Sequence, residues 1–367
     1  MIKSTASYIN LAKKILSVSL YKNLGIGFQM PYKYIFIVTN LCQSRCKTCN
    51  IWKIYIDNPE KLKTELTLEE YERIFENIKN DALWLVLSGG EPFIRKDFDE
   101  IAILSSEILD KTFLINTPTN ALTPKLIEKK TEIIIQNIRR DLSYFITISL
   151  DGLGHMYEEI RGVDGYDSVI ETYERLCELA KAYPNLNVGF QTTVSKLNID
   201  FIKDIFEKIK DTSIPIFTFA NENEYFYNIG SNVDMKNFNR DKLLEVIRFL
   251  YKNYKIKSLY DIVPKVFLKL AEKFYENPSR QVLPCYASWA TLTIDPYGNI
   301  LPCSYFYRVI ANVRNINFDI KSALLSERAK ETRKIIKEHN CPKCWTNCEA
   351  FPTMFHNVTG VLRKFFF

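Results

Sequence analysis

No run of eighteen consecutive apolar residues occurs anywhere in the 367-residue chain, which excludes a hydrophobic helix able to span a bilayer. The opening MIKSTASYINLAKK lacks the compact apolar core and small-residue cleavage site of a secretory signal. An excess of charge of either sign is missing too. The formal net charge is only +6, and no concentrated basic stripe marks a nucleic-acid surface. Low complexity and disorder are excluded by 47% hydrophobic and 25% charged residues, the mix of an ordinary globular protein long enough for two or three domains.

Against these absences stand nine cysteines. An odd number in a large chain without a secretory signal argues against a disulfide framework and for metal or redox chemistry. Cys42, Cys46 and Cys49 sit together early, while Cys285, Cys303, Cys341, Cys344 and Cys348 sit late. Cys177 stands apart on the apolar stripe Val169, Tyr173, Leu176, Ala180, where it reads as a core residue. The pattern is that of a metal-binding enzyme.

Between Lys33 and Tyr225 short β-rich runs alternate with helical patterns. The expected strands are Tyr34–Val38, Leu83–Ser88, Phe113–Thr117, Phe145–Leu150, Val188–Val194 and Ile216–Ala220. Expected helices include Thr67–Lys79, Asp97–Leu109, Tyr166–Ala182 and Phe201–Lys210. Nearly continuous apolar strands are those of a parallel sheet buried on both faces. Repeated βα units build a barrel or a doubly wound sheet, and six are too few to close an eight-fold barrel. The expected fold is therefore α/β, a partial (β/α)6 TIM-like barrel. Thr67 with Glu70 forms a capping-box pattern, and Ser168 with Glu171 predicts a second helix start. From Arg240 to Tyr275 the pattern is helical throughout, with Leu243, Ile247, Leu250, Tyr251 and Tyr254 on one stripe. The expected organisation is an amphipathic helical segment (1–32), the barrel (33–225), a helical bridge (226–280) and a small cysteine-rich α+β module (281–367).

Cys42-Gln-Ser-Arg-Cys46-Lys-Thr-Cys49 follows the first expected strand, so the triad lies on a βα loop at the end of the barrel that carries active sites. Thiolates are soft ligands suited to zinc, copper or iron–sulfur clusters. Three are one too few for a cubane cluster and leave one iron open to bind something else; a zinc knuckle with a distant fourth ligand is the plain alternative. This C-x3-C-x2-C loop resembles the signature of the radical S-adenosylmethionine (radical SAM) enzymes. The resemblance implies a 4Fe–4S cluster on Cys42, Cys46 and Cys49, with SAM chelating the open iron. It also implies reductive cleavage of SAM to a 5′-deoxyadenosyl radical that abstracts hydrogen from an unactivated C–H bond. Thr48 stands where the family usually has an aromatic residue, and Trp52 is the candidate to meet the adenine instead.

Further segments agree with the family in order. Ser88-Gly89-Gly90-Glu91-Pro92 resembles its GGEP segment, which implies that the Gly89 and Gly90 backbone and the Glu91 carboxylate bind the SAM amino group. Glycines let a backbone approach a ligand closely, and a carboxylate suits an ammonium. Ser149-Leu150-Asp151-Gly152, His155 and Arg161-Gly162 look like the family's S-x-DG…H…RG stretch. By that likeness Ser149 and Asp151 bind ribose or carboxylate, and Arg161 pairs with the SAM carboxylate. His155 is equally readable as structural. Thr119-Asn120 resembles a Thr-Asn-Gly turn with Ala121 in place of glycine, which makes Asn120 a candidate ribose contact. Gln191 and Val194 either flank the adenine or simply pack within their strand.

Cys285, with Gly298 placed ahead of Cys303, matches the opening of the auxiliary-cluster modules called SPASM or twitch domains. Asp295-Pro296-Tyr297-Gly298-Asn299 reads as a hairpin turn between Thr291–Ile294 and Asn299–Leu301, which brings Cys285 and Cys303 together. Cys341-Pro-Lys-Cys344-Trp-Thr-Asn-Cys348 supplies a C-x2-C-x3-C knuckle. The likeness implies at least one auxiliary 4Fe–4S cluster, held by four of these five cysteines. A second, partial cluster and a four-cysteine zinc site stay open.

Residues Ala6–Leu24 read as an amphipathic helix, with Ile9, Leu11, Ile15, Leu16 and Leu20 against Lys13, Lys14 and Lys22. The chain ends Leu362-Arg-Lys-Phe-Phe-Phe367. Helix and tail either rest on a membrane surface or close the barrel from below. The expected substrate is a lipid or isoprenoid-linked molecule at the membrane surface, because only about thirty residues precede the first strand and leave little room for a leader-peptide domain. The alternative is a SPASM-type peptide-modifying enzyme that crosslinks, forms thioethers or epimerises. A non-enzymatic electron carrier is a third possibility, against which the set Gly89, Glu91, Ser149 and Arg161 argues. The resemblance further implies an oxidoreductase or bond-forming class and an electron donor such as ferredoxin or flavodoxin. A monomer or weak dimer in a reducing cytoplasm, at the inner face of the membrane, completes the expectation.

Overall fold

Every residue of Lys33–Thr39 (β1) is buried, because its alternate side chains serve two different cores. Tyr34, Phe36 and Val38 join the large core beneath the outer helices, while Ile35 and Ile37 face the inside of the barrel. The remaining parallel strands follow as Trp84–Gly89 (β2), Leu114–Thr119 (β3), Ser143–Ser149 (β4), Leu186–Val194 (β5) and Ile216–Phe219 (β6). The computed structural model describes residues 5–212, 215–258 and 261–366.

The sheet does not stop at β1. Thr291–Ile294 (β7) pairs parallel to β1, from Lys33↔Thr291 to Phe36↔Ile294. Asn299–Leu301 (β8) and Ala311–Asn312 (β9) then add antiparallel. The order β6-β5-β4-β3-β2-β1-β7-β8-β9 makes one nine-stranded sheet. The partial barrel of six βα units is thus extended by the cysteine-rich segment, which grows from the open edge of β1. That edge would otherwise present unpaired backbone groups.

The capping box forms as expected. Thr67 Oγ1 accepts from the Glu70 N–H at 3.3 Å, and Glu70 Oε2 accepts from the Thr67 N–H at 3.0 Å. Ser168 is not a helix start: the helix Tyr166–Ala182 begins two residues earlier behind Gly165, so Ser168 lies within its first turn. The stretch from Arg240 to Tyr275 is not one helix but two, Arg240–Asn253 and Ile262–Glu276, packed against each other. The helix Pro124–Asn137 was not among those expected; Pro124 opens it, where a missing N–H costs nothing.

The N-terminal helix, Thr5–Leu24, turns inward with only part of the expected apolar stripe, Leu11 and Ile15 being half-buried. Val18 and Lys22 are buried, whereas Ile9, Leu16 and Leu20 face solvent. Lys22 Nζ donates to the Cys285 carbonyl at 2.7 Å and sits 3.6 Å from the Tyr286 ring centre. Tyr8 and Leu11 help wall a cavity at the bottom of the barrel, so the helix covers that end. No helix among the described residues is long and apolar enough to cross a membrane. The side chains of Phe365–Phe367 lie outside the described residues.

His356, near the C-terminus, ties these parts together. Its Nδ1 is 2.8 Å from Ser19 Oγ, its Nε2 is 3.2 Å from the Tyr32 hydroxyl, and its ring stacks on Tyr286 at 4.0 Å. Burial, with help from Lys22, pushes its pKa down to about 3. A depressed pKa favours folding above the unfolded value near 6.5 and loses that advantage as pH falls towards the folded value. The chain should therefore lose up to about 4 kcal/mol of stability between pH 6.5 and 3 through this ring. In His356→Gln the corresponding slope should flatten, which urea titrations at stepped pH would register.

Candidate cluster and cofactor site

The six parallel strands send their outgoing turns to one end of the sheet, the end where βα folds carry their chemistry. β1 leads through Asn40 into the cysteine loop, β2 into Gly90 and Glu91, β3 into Asn120, and β4 into Asp151. The expected site residues therefore meet for a topological reason.

The glycine pair is needed because β2 passes close behind the exit of β1. The Gly90 N–H donates to the Thr39 carbonyl at 2.7 Å and the Glu91 N–H to the Leu41 carbonyl at 2.8 Å. A Cβ on Gly89 would run into the Thr39 carbonyl oxygen, and one on Gly90 into that of Leu41. Gly90→Ala is expected to cost about 1–3 kcal/mol and to push the cysteine loop outward; urea unfolding of the iron-free protein checks it.

Glu91 is fully buried and both its oxygens are engaged. Oε1 accepts from the Phe93 N–H at 3.2 Å and Thr119 Oγ1 at 2.9 Å, and Oε2 accepts from the Asn120 N–H at 2.6 Å. Burial raises its pKa to about 7 against the pull of these donors. The carboxylate thus locks the exits of β2 and β3 together. Asn120 comes next to the cysteines: its Nδ2 is 3.7 Å from Cys42 Sγ, and its Oδ1 accepts from Gln43 Nε2 at 3.3 Å. Ala121 takes a left-handed φ of 62°, the conformation for which glycine is suited.

Asp151 and Arg161 form a buried pair, Nη1 to Oδ2 at 2.9 Å, and Asp151 Oδ1 also accepts from the Thr193 N–H at 2.7 Å. The backbone carbonyls of Arg161 and Ile160 accept from the Arg45 and Lys47 N–H groups, each at 2.9 Å. The helix His155–Arg161 therefore clamps the cysteine loop directly. Arg161 Nε is buried without a partner, a donor suited to a carboxylate. Ser149 ends β4, half-buried, in register with Gln191.

The structure does not bring every candidate to this end. Gln191 stands level with Ser149 and lines the barrel cavity, whereas Val194 packs in the helix-side core, leaving only its backbone near the strand ends. His155 is exposed beside Glu158 and Glu159. Trp52 lies over Arg45, with 4.8 Å between the guanidinium carbon and the ring centre. Cys177 is half-buried against the core.

A roof over the cysteine loop escaped the sequence analysis. Asn228 Nδ2 donates to the Thr48 carbonyl at 2.9 Å, and the Asn50 N–H donates to the Phe226 carbonyl at 2.9 Å. The Tyr225 hydroxyl donates to Asn40 Oδ1 at 3.2 Å, while Asn40 Nδ2 donates to the Tyr297 hydroxyl at 3.0 Å. The only sequence signal was the dense polar and aromatic run from Asn221 to Asn228 after the last barrel strand.

Cys285, Cys303, Cys341 and Cys344 wall a small cavity of about 40 Å3, together with Glu349. Cys348 is not on that wall. It opens the helix Asn347–His356 and lines the barrel cavity instead. Burial pushes the thiols of Cys42, Cys49 and Cys285 up to about 11, 12 and 12, and raises Cys46 although Arg161 opposes it. Thiolates here require a cationic partner such as a metal centre. All nine thiols are free, and three on the loop plus four around the small cavity are donor sets of the soft kind that iron–sulfur clusters use. No three His, Cys, Asp or Glu side chains among the described residues converge tightly enough to hold a single metal ion.

Known proteins agree with this geometry. A family model of the Radical SAM superfamily matches residues 36–209, and one of the SPASM iron–sulfur cluster-binding domain matches residues 285–349. The antilisterial bacteriocin subtilosin biosynthesis protein AlbA of Bacillus subtilis is 21% identical over 284 residues, 76% of this chain and 56% of AlbA. Fe-coproporphyrin III synthase of Methanosarcina barkeri is 26% identical over 187 residues, 50% of this chain and 42% of that protein. The chain thus spans about half the length of these curated relatives. The crystal structure of Streptococcus suis SuiB superposes with a TM-score of 0.52 at 17% identity, over 80% of this chain and 64% of SuiB. SuiB bound to its precursor peptide SuiA gives 0.50 at 19% identity, over 83% and 65%. A radical SAM domain holds a 4Fe–4S cluster with SAM, and a SPASM domain holds auxiliary iron–sulfur clusters, the two kinds of centre that these donor sets fit. The chain belongs to the radical SAM superfamily and carries a C-terminal SPASM domain.

Proposed function

We propose that the chain is a peptide-modifying radical SAM enzyme. The observation that carries the substrate class is the reach of the likeness to AlbA, which extends through most of this chain, whereas the likeness to the porphyrin enzyme covers only half. The structural support left to the lipid alternative is the exposure of Ile9, Leu16 and Leu20 on the N-terminal helix.

In this proposal Cys42, Cys46 and Cys49 hold the SAM-binding 4Fe–4S cluster, and Cys285, Cys303, Cys341 and Cys344 hold the auxiliary one. When bound, the first cluster and SAM together supply a one-electron cleavage whose product takes a hydrogen atom from substrate. The protein's part is orientation. Arg161, anchored by Asp151, offers its unpaired Nε to the SAM carboxylate. The Gly89–Gly90 backbone and Asn120 line the approach beside Cys42, with Glu91 acting beneath them as a buried brace. Ser149 reaches the ribose, and the roof from Asn221 to Asn228 keeps water from the cysteine loop. The side chains Ile35, Ile37 and Val86 give the lumen an apolar lining, against which Tyr225 also packs.

The test is label transfer. Anaerobic, cluster-loaded protein with SAM and a strong reductant is given a perdeuterated peptide pool or a perdeuterated lipid pool. Deuterium should enter 5′-deoxyadenosine from the peptides; entry from the lipids alone would overturn the substrate class.

A further inference from the structure

The cavity in the lower half of the barrel has a volume of about 450 Å3 and walls that are mostly apolar. One charge breaks them. Lys33, the first residue of β1, is only 2% exposed, although lysine is almost never buried without an anionic partner. Its Nζ donates to a neutral acceptor, the Cys348 carbonyl, at 2.7 Å, and lies 4.0 Å from the Trp84 ring centre. An ammonium has three donors, so this bond leaves capacity for a ligand. Glu349 is the nearby carboxylate and its charge acts on Lys33, but the two form no ion pair: one Glu349 oxygen accepts from Thr291 Oγ1 and the residue lines the auxiliary cavity.

Neighbouring polar groups on the same wall are also unmatched. The Asn347 amide has both its oxygen and its nitrogen buried without a hydrogen-bond partner, and so has the Trp84 indole N–H. Buried polar atoms of this kind normally have partners. An orphaned carboxamide, with its NH2 free to donate and its oxygen free to accept, is the complement of a peptide group.

We infer that this cavity is an anchor pocket for an N-acylated, large apolar amino-acid residue bearing a carboxylate, with Lys33 taking the carboxylate, Asn347 the amide and the barrel wall the side chain. The carboxylate comes either from a peptide C-terminus or from an adjacent Asp or Glu. The inference rests on the peptide reading and specifies what that peptide must present. At about 3.3 Å per residue, Lys33 lies roughly 20 Å along β1 from the cysteine loop. The pocket therefore positions the substrate, and the reacting carbon belongs to residues further up the barrel.

The experiment is calorimetric titration of the anaerobic, cluster-loaded full chain with N-acetyl-tryptophan, N-acetyl-tryptophanamide, indole-3-propionate and N-acetyl-tryptophanyl-aspartamide. The wild type should bind the acid about tenfold more tightly than the amide, the size expected of one charge-assisted hydrogen bond. Indole-3-propionate, which lacks the amide, should bind more weakly than the acid. Tight binding of the aspartamide would assign the carboxylate to an Asp or Glu side chain, and weak binding would assign it to a C-terminus. Lys33→Met should abolish the acid-over-amide preference while retaining the amide's affinity; Lys33→Arg should keep part of it. Asn347→Leu should weaken acid and amide alike. Equal wild-type binding of acid and amide, or a preference that survives Lys33→Met, overturns the inference. Should Lys33→Met fail to fold, the wild-type comparison and Asn347→Leu still decide. None of these titrations needs SAM cleavage, so a failure of the radical chemistry and a failure of the pocket are read separately.

Discussion

Asp151→Ala is expected to lower stability by about 3–5 kcal/mol, because it strands the buried Arg161 guanidinium without its counter-charge. The loss should not stop at the pair. Asp151 also accepts the Thr193 N–H, and Arg161 ends the helix whose carbonyls hold the Arg45 and Lys47 N–H groups. The cysteine loop should loosen with it, so the variant should lose iron from the loop cluster faster than wild type under a chelator. Arg161→Met with Asp151→Ala removes both charges and should recover part of the stability, since an apolar replacement of a buried pair is often tolerated. SAM binding should be lost in the double variant despite the recovered stability, because the unpaired Nε is gone. Urea unfolding and equilibrium dialysis with labelled SAM separate the two effects. Equal stability of Asp151→Ala and wild type would contradict the clamp.

The second large effect concerns the two sets of thiols. Replacing Cys42, Cys46 and Cys49 together by alanine should remove about four of about eight irons per chain, since each cubane carries four. The other centre should remain, because the cavity of Cys285, Cys303, Cys341 and Cys344 shares none of those residues. Replacing Cys348 by serine should leave the iron content unchanged, as its side chain lines the barrel cavity. Iron and sulfide analysis with Mössbauer spectroscopy of reconstituted protein reads all three outcomes. Loss of auxiliary iron in Cys348→Ser would place Cys348 among the ligands.

The barrel strands were legible because local chemistry and final environment agree. β1 is apolar at consecutive positions and is buried on both faces. The cysteine loop, the glycine pair and the capping box at Thr67 depend on residues close in sequence, and spacing alone points to them. What spacing could not reveal are pairings across the chain. β7 lies against β1 although more than 250 residues separate them, so the continuous sheet left no local trace. Lys33 reads as a polar strand boundary, and only the helix Asn347–His356 laid over the barrel bottom turns it into a buried cation. The same helix carries Cys348, which lines the barrel cavity and not the one walled by Cys341 and Cys344, although the knuckle is continuous in the sequence. The N-terminal helix was only partly legible: Leu11 of the apolar stripe docks, but so do Val18 and Lys22, the latter meeting the Cys285 carbonyl and Tyr286.

The most direct test of the account is the yield of 5′-deoxyadenosine from anaerobically reconstituted protein given SAM and a strong reductant, measured beside the triple variant of Cys42, Cys46 and Cys49. The account predicts deoxyadenosine from the wild type and none from the variant, with the auxiliary iron intact in both. Deoxyadenosine made equally well without the three loop thiols, or none from wild type with both centres verified and a peptide pool present, would contradict it.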